Sequence, residues 1–316
     1  MTDRLPVGVI GVGSMGQHHA RVYQELPTVD LVGVADANTE AAVETAEQYG
    51  TTPMSVDSLL GAAEAVSIVV PTAYHYDMGM EAIAAGVDIL IEKPITEDPM
   101  AGRELQAAAE EAGLTLQVGH VERFNPAVRT LSEIATDLQM IAFDSQRLGP
   151  PTNRNIGDGV ALDLMIHDAD ILLSLADAPV ATVQAAETAD DQYVAATVTF
   201  ENGLVATLTA SRVTQQKVRT LSVTAEECRV NVDYMSQSVQ INRHSLPEYI
   251  ESNGDVRYRY ENIVERPTVE NGEPLKKELT SFAETVRTGG EPVVSAADGI
   301  HALELVQQVQ STVSKQ

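Results

Sequence analysis

Three short segments of the 316-residue chain carry residue types that together could move a proton and a hydride. The first is Gly11-Val12-Gly13-Ser14-Met15-Gly16, whose glycine spacing is typical of a turn that cradles the pyrophosphate of a dinucleotide. The second is Glu92-Lys93-Pro94, and in the third Asp163 and His167 stand four positions apart. These two segments supply a cation, a carboxylate and an imidazole. The set predicts oxidation of an alcohol with transfer of its hydride to a nicotinamide.

The glycine run lies between an apolar run and a helical pattern, which is the context that a dinucleotide-binding turn requires. Gly11 permits the tight turn, Gly13 lets the backbone approach the pyrophosphate, and Gly16 allows helix and strand to pack closely. We expect the backbone N–H groups at the start of the following helix, together with the helix dipole, to hold the phosphates, and all six residues of the run to contact the cofactor.

Asp36 is expected to end the second strand, 20 residues after Gly16. A carboxylate at that point accepts hydrogen bonds from the ribose hydroxyls and repels a 2′-phosphate. No arginine stands at positions 37–40 to bind such a phosphate. The sequence therefore predicts NAD rather than NADP, and the alternative for Asp36 is a solvated residue at a strand end.

Pro71, Thr72 and His75 follow another apolar run, residues 65–70, and Glu92 ends the next. Ligands of open α/β sheets bind at the carboxyl ends of the strands. We therefore expect these four residues, with Lys93, to contact the cofactor. His75 could equally be a surface residue in the first turn of a helix.

Lys93 also stands at a strand end, where its side chain would point toward the nicotinamide. A lysine ammonium can donate a hydrogen bond to a substrate hydroxyl and stabilise the alkoxide charge that develops during oxidation. A surface lysine in a turn is the alternative. Lysine is scarce, however, and occurs only at positions 93, 217, 276, 277 and 315.

Asp163 and His167 would share one face of a helix. An imidazole ordinarily titrates near neutral pH, so His167 suits a general base, and Asp163 could orient the sugar or the imidazole. A buried core histidine is the alternative, but Gly157-Asp158-Gly159 just upstream favours close approach of a ligand. No further His or Cys at ligand spacing supports a metal site at Asp168 or Asp170.

The first 120 residues alternate short apolar runs with helical patterns, which is typical of βαβ units. The pattern predicts strands at residues 7–10, 31–35, 65–70, 89–92 and 115–118, and helices at 15–25, 39–49, 74–85 and 99–112. Near-continuous Val, Ile and Leu content fits strands covered on both faces. We expect an α/β domain over residues 1–121, a Rossmann-type doubly wound parallel sheet that binds NAD.

Residues 122–316 are expected to form an α+β domain with a mostly antiparallel open sheet, for substrate binding and oligomerisation. One predicted helix begins after the cap Asn125, a second covers residues 160–175, and a third covers residues 296–311 after the cap Ser295. Predicted strands cover residues 140–148, 181–187, 193–200, 204–211, 220–224, 229–234 and 239–242. Asn202-Gly203 signals a two-residue hairpin. Such a sheet could pair face to face in a homodimer or homotetramer.

The chain is strongly acidic, with 46 acidic against 20 basic residues and a net charge of −26. Nucleic acid and anionic membranes are therefore excluded as partners, because phosphate binding needs clustered Lys and Arg. Dispersed acidic residues with few lysines favour a halophilic cytoplasm over an ordinary acidic protein. The single cysteine, Cys228, allows no intrachain disulfide. No signal peptide or membrane span is recognisable, so we expect a cytoplasmic protein.

The order of these segments resembles the Gfo/Idh/MocA family, named for glucose–fructose oxidoreductase and inositol dehydrogenase. Residues 118–126 (Val-Gly-His-Val-Glu-Arg-Phe-Asn-Pro) add to the resemblance, which covers nearly the whole chain. It implies that Lys93, Asp163 and His167 are catalytic and bind substrate, and that Arg123 helps to hold substrate or cofactor. Asp158 departs from the family by replacing the second glycine of a common Gly-Gly run.

Residues 119–126 are most similar to the UDP-N-acetylglucosamine 3-dehydrogenases of the family, which implies a nucleotide-sugar substrate. A free sugar or inositol is an alternative substrate. A third possibility is a non-catalytic NAD-binding regulator, which would need the glycines and Asp36 but not the proposed catalytic residues. Reduction of a C=N or C=C bond would use the same cofactor site.

Overall fold

A computed structural model describes residues 4–151, 159–188, 191–244, 248–252, 255–259 and 261–313 of the chain. Every strand and helix predicted before residue 120 is present, with one additional short helix. In chain order these elements are β1 (Leu5–Ile10), α1 (Ser14–Glu25), β2 (Val29–Ala35), α2 (Thr39–Tyr49), α3 (Val56–Leu60), β3 (Ala65–Ile68), α4 (His75–Ala84), β4 (Asp88–Glu92), α5 (Pro99–Ala112) and β5 (Leu116–Gly119).

These five strands form one parallel sheet in the order β2-β1-β3-β4-β5. Most of their residues are buried, as expected for Val-, Ile- and Leu-rich strands covered on both faces. β1 lies between β2 and β3. The chain therefore places β2 on one side of β1 and then crosses over to place β3 on the other side. Ligands bind at the carboxyl ends of the strands at such a switch point. The predicted Rossmann-type sheet is confirmed.

The remaining strands and helices are accompanied by a short π-helical turn, Ala161–Met165, that leads directly into a helix. They are α6 (Pro126–Ala135), β6 (Met140–Leu148), α7 (Ile166–Ala176), β7 (Val180–Thr188), β8 (Tyr193–Phe200), β9 (Val205–Ser211), β10 (Val218–Ala225), β11 (Arg229–Asp233), β12 (Ser238–His244), β13 (Glu248–Ser252), β14 (Asp255–Arg259), β15 (Asn262–Glu265), α8 (Pro274–Thr288) and α9 (Ala296–Val313). The sequence patterns predicted neither β13–β15 nor α8. β15 is exposed along its whole length, so it carries no alternation of buried and exposed positions.

Eight strands form the second sheet, in the order β15-β12-β11-β10-β6-β9-β8-β7. Only the β6–β9 pair is parallel among these neighbours, so the predicted mostly antiparallel sheet is confirmed. Along β8, β9 and β10 buried residues alternate with half-buried ones. One face of these strands is therefore core, and the other is partly open.

The predicted helix caps are present, and the predicted hairpin differs in length. The Asn125 side chain accepts the N–H of Ala127, and Ser295 and Asp298 cap each other at the start of α9. The N–H of Phe200 donates to the carbonyl oxygen of Leu204, just before β9 begins, so three residues (201–203) rather than two turn the chain between β8 and β9.

The contacts group the chain into two compact units that differ from the predicted domains. Unit one contains Met1–Phe124 and Glu273–Glu304, and unit two contains Asn125–Gly272 and Leu305–Gln316. α8 joins unit one because its apolar stripe is buried in the same core as β1 and α1; the stripe is Leu275, Leu279, Phe282 and Ala283. The division at residues 121 and 122 stays a prediction about folding units.

None of the helices within the described residues is long and apolar enough to cross a bilayer.

Candidate active site

The glycine turn after β1 has the backbone geometry that its spacing predicts. Gly11 has a φ of +92°, and a Cβ there would lie 2.6 Å from the carbonyl oxygen of Val69. A Cβ at Gly16 would lie 1.9 Å from the carbonyl oxygen of Gly11. A Cβ at Gly13 would meet no atom within 4 Å. Gly11 and Gly16 are thus required by the fold, whereas Gly13 leaves open space for a ligand.

α1 begins directly after this turn, and no side chain caps it at Gly13. The helix start carries the positive end of the helix dipole, and the first turn contains no acidic residue. This arrangement suits a bound phosphate. The N–H of Val12 differs from expectation, because it donates to the Oδ2 atom of Asp36 at 2.7 Å rather than pointing to a ligand.

Asp36 follows β2 and is held on both carboxylate oxygens. Besides Val12, the N–H of Asn38 donates to its Oδ1 atom at 2.8 Å. Each carboxylate oxygen can accept a second hydrogen bond, so the side chain can still bind ribose hydroxyls. Its orientation is fixed before any ligand arrives.

A cavity of about 1160 Å³ lies along this edge of the parallel sheet. Gly13, Ser14, Met15, Asp36 and Pro71 are among the residues that line it. Its size exceeds the roughly 300–1,000 Å³ of an ordinary small-molecule pocket. The uncapped helix start, the space at Gly13 and the fixed carboxylate therefore fit a dinucleotide.

His75 is the first residue of α4. Its ring is buried, with Nδ1 2.8 Å from the carbonyl oxygen of Pro94 and Nε2 2.9 Å from that of Val70. Burial lowers the pKa of the ring, and the hydrogen bonds to the two backbone carbonyl oxygens oppose that shift. The surface alternative for His75 is wrong. Both ring nitrogens face backbone, so the ring ties the end of β3 to the loop after β4, while Thr72 begins a 3-10 turn between them.

Glu92 lies buried beneath the backbone of Lys93. Its Oε1 atom is 3.1 Å from Nε2 of His19, and its Oε2 atom accepts the N–H of Lys93 at 3.2 Å. Burial raises the pKa of Glu92, but the hydrogen bond from His19 and the charges of His19 and Lys93 outweigh it and hold the pKa below its usual value. Gly119 leaves room for this carboxylate, since a Cβ there would approach within 3.2 Å of it.

His120 and Arg123 follow β5. His120 is fully buried, and burial followed by the charges of Arg123 and Lys93 lowers its pKa to about 3. The imidazole is therefore neutral. Arg123 was expected to bind substrate or cofactor, and its Nη2 atom lies 3.6 Å from Oδ1 of Asp298.

In unit two, Asp163 lies in the π-helical turn and His167 is the second residue of α7. The N–H of Ile166 bonds back to the carbonyl of Ala161, a five-residue span. The regular α-helical spacing assumed for Asp163 and His167 therefore does not apply to this turn, and π-turns are frequent at functional sites. Gly157 and Asp158 lie outside the described residues.

One partly buried and one buried ion pair hold this segment. Nη2 of Arg212 donates to Oδ2 of Asp163 at 2.6 Å. Arg147 bonds Asp168 through two nitrogens, at 2.7 and 3.0 Å, and Tyr234 donates its hydroxyl to the same carboxylate at 3.2 Å. The residue next to His167 is thereby anchored to β6.

The sequence patterns missed His19, Arg147, Arg212 and Tyr234. His19 stands three residues after Gly16 on the buried face of α1, and Arg212 directly follows β9. The strand-end rule that selected Lys93 applies to open α/β sheets, so it does not extend to Arg212 in this mostly antiparallel sheet. Among the described residues, no group of three or more acidic, His or Cys side chains is arranged to hold a metal ion.

Comparisons with known proteins agree with this geometry. Residues 5–120 match the Gfo/Idh/MocA oxidoreductase family with an NAD-binding Rossmann fold, and residues 138–231 match the C-terminal domain of that family. UDP-N-acetylglucosamine 3-dehydrogenase of Acidithiobacillus ferrooxidans is 37% identical over 239 residues, which cover 74% of this chain and 75% of that protein. A solved structure of this enzyme from the same organism has a TM-score of 0.89 at 32% identity and covers 99% of both chains. The NAD⁺-dependent scyllo-inositol 2-dehydrogenase of Bacillus subtilis is 27% identical over 330 residues, covering 96% of this chain and 93% of that protein.

Proposed function

The chain belongs to the Gfo/Idh/MocA family of NAD-binding oxidoreductases, and from that membership we propose that it oxidises the 3-hydroxyl of UDP-N-acetylglucosamine. The observation that supports this substrate is the 37% identity to a UDP-N-acetylglucosamine 3-dehydrogenase, against 27% to an inositol dehydrogenase. A free sugar or inositol is the alternative substrate.

The proposed reaction uses three side chains of this chain. The Lys93 ammonium donates a hydrogen bond to the substrate oxygen and stabilises the negative charge that develops there. A ring nitrogen of His167 takes the hydroxyl proton as general base, while Asp163 orients the substrate and the imidazole. Bound NAD⁺ supplies the hydride acceptor, so that the alcohol becomes a ketone.

The protein environment of Lys93 supports its part in this proposal. The buried carboxylate of Glu92 accepts the backbone N–H of Lys93 and keeps its negative charge, since its pKa is lowered. A fixed anion next to residue 93 restrains the backbone from which the ammonium extends. A positioned cation needs little reorganisation when charge develops on the substrate.

An absorbance assay of NADH formation tests the proposal. UDP-N-acetylglucosamine, UDP-glucose, glucose, myo-inositol and scyllo-inositol are compared at equal concentration with NAD⁺. We expect UDP-N-acetylglucosamine to give the largest kcat/KM. Faster turnover of an inositol selects the alternative substrate. NAD⁺ binding by calorimetry without turnover of any alcohol selects the regulator.

The open face of the antiparallel sheet supports a homo-oligomer. Asp144 on β6 lies opposite Ser222 and Thr207 and is charged, but the half-buried positions of the open face on β8, β9 and β10 are uncharged, in a chain where 21% of residues are charged. They include Thr197, Thr207, Thr209, Thr220, Ser222 and Thr224. Copies with a net charge of −26 repel one another, so a face with few charges suits contact with a second copy.

Light scattering after gel filtration tests this contact. We expect a dimer or tetramer for the unchanged chain and a monomer for Thr209→Arg with Thr220→Arg, which places like charges on the face. Glu40→Arg on α2 changes the charge elsewhere and serves as the control. A monomeric unchanged chain would reject the proposal.

We also propose that the protein works in a salt-rich cytoplasm, as its dispersed acidic residues and rare lysines suggest. Potassium chloride at 2 M would screen their mutual repulsion, because the Debye length falls to about 3 Å at 1 M. The expected result is a melting temperature that rises between 0.1 and 2 M salt. A flat profile would mark an ordinary acidic protein.

A further inference from the structure

Asp163 belongs to a series of charged groups that continues beyond the proposed catalytic residues. Arg212, which is 7% exposed, donates to Asp163 on one side. Burial, followed by the charge of Glu187, raises the pKa of Asp191, and the charge of Arg212 opposes that rise. Arg212 therefore interacts electrostatically with both aspartates.

Asp191 joins this series to the start of the helical segment that carries Asp163. Its carboxylate accepts a hydrogen bond from the backbone N–H of Val160, directly before the π-helical turn. A Cβ at Gly159 would lie 1.9 Å from Oδ2 of Asp191. Only a glycine at position 159 leaves this carboxylate in place. The fold therefore explains why a glycine occupies position 159 without reference to a ligand.

Arg212 and Asp191 lie on one rigid hairpin. β8 and β9 are paired from Tyr193 opposite Ser211 onward, and the N–H of Arg212 donates to the carbonyl oxygen of Gln192 at 2.9 Å. The backbones of Arg212 and Asp191 are therefore fixed relative to each other. The hairpin contacts the helical segment at two points, because Asp191 bonds to Val160 and Arg212 bonds to Asp163.

We propose that Arg212 is a positioning residue, which fixes the Asp163 carboxylate for the reaction while Asp191 and Gly159 fix the start of the same helical segment. The inference rests on the proposed role of Asp163. A carboxylate bonded at Oδ2 by a buried guanidinium loses much of its rotational freedom. A misplacement of about 1 Å in an active site can lower the rate about a hundredfold, so a loose Asp163 would be costly.

Steady-state kinetics of the full-length enzyme with NAD⁺ and UDP-N-acetylglucosamine test this inference. The variants are Asp163→Asn, Arg212→Met, Arg212→Lys and the double change Arg212→Met with Asp163→Asn. We expect Arg212→Met to lower kcat about 30- to 100-fold with KM for NAD⁺ within about twofold, and Arg212→Lys to restore about tenfold. Because Arg212 acts through Asp163, the double variant should be no slower than Asp163→Asn.

Arg243→Met is the matched control, because Arg243 forms an ion pair with Glu265 in the same unit. It should keep the kcat of the unchanged enzyme. Melting curves monitor folding of every variant. If Arg212→Met does not fold, Arg212→Lys takes its place in the double-mutant comparison.

Two results would overturn the inference alone: Arg212→Met with unchanged kcat beside an impaired Asp163→Asn, or separate effects that multiply in the double variant. An Asp163→Asn enzyme with unchanged kcat would instead remove the proposed catalytic role of Asp163, and the inference with it. The kinetics thus separate failure of the inference from failure of the proposed function.

Discussion

The glycine turn at residues 11–16, which is the proposed cofactor cradle, and the surroundings of Asp163 achieve fixed geometry by different means. In the cradle, backbone conformation sets the shape, through the positive φ of Gly11 and the close contact at Gly16. Around Asp163, ion pairs set the shape, and Arg212 reaches it across 49 positions of sequence. The neighbouring pair of Arg147 and Asp168 spans 21 positions.

This contrast separates two kinds of consequence. Substitution in the cradle changes a local turn and the space next to it, so its main effect is on cofactor binding. Substitution of a buried arginine leaves an unpaired charge in the core, so stability is affected as well. The following changes test whether the two regions respond in these different ways.

Arg147→Met should have the largest effect on stability, because it leaves the buried Asp168 carboxylate without its cation. We expect a loss of about 3–5 kcal/mol in the free energy of unfolding, measured by urea denaturation. The added change Asp168→Asn should recover part of the loss. Arg103→Met in unit one breaks an exposed pair with Glu304 and should cost less than about 1 kcal/mol. Equal losses in the free energy of unfolding for Arg147→Met and Arg103→Met would contradict the expectation that the buried ion pair contributes more than the exposed one.

Lys93→Ala and His167→Ala should each lower kcat by at least about a hundredfold, as loss of an acid–base or charge-stabilising group does. The dissociation constant of NAD⁺, measured by calorimetry, should change little, because the cradle is untouched. Turnover at the level of the unchanged enzyme in either variant would reject that residue's role.

Gly13→Ala should weaken NAD⁺ binding about tenfold while the melting temperature stays the same. The added Cβ meets no protein atom within 4 Å, so the fold tolerates it, but it enters the space through which the pyrophosphate approaches. Gly61→Ala, a change outside the cradle in the same unit, is the control. A drop in melting temperature with unchanged affinity would contradict this division of roles.

His120→Gln should reduce the pH dependence of stability, the smallest effect in this series. The pKa of His120 falls from 6.5 to about 3 on folding, so the unfolded chain binds the proton first as pH decreases. Its contribution is present above pH 6.5 and is lost as pH falls below it, by about 0.7 kcal/mol between pH 7 and pH 6. Urea denaturation of the variant at both pH values should show a shallower decrease, whereas His301→Gln at an exposed position should not.

Several elements could be predicted because their signals lie within a few neighbouring residues. The parallel strands are apolar runs, and the caps at Asn125 and Ser295 contact residues only two or three positions away. α8 was missed although its apolar stripe is regular, and its membership in unit one depends on a core whose other members are far away in sequence.

His75 illustrates the same limit within the site. Its position after a strand correctly indicated the carboxyl edge of the sheet. Its contacts, however, are the carbonyl oxygens of Val70 and Pro94, and the second of these lies 19 positions away. A residue type at a strand end therefore predicts a location, while the partner of the side chain depends on which loops meet there.

The sequence alone determined the dinucleotide turn, the acid after β2 and the order of strands and helices in the first 120 residues, because each depends on signals within one turn or one element. Only the tertiary structure decided that Glu92 is held by His19, that Asp163 is paired with Arg212, and that α8 belongs to the first unit. Those contacts join residues distant in the chain, and their strength comes from burial, which exists only once the chain has folded.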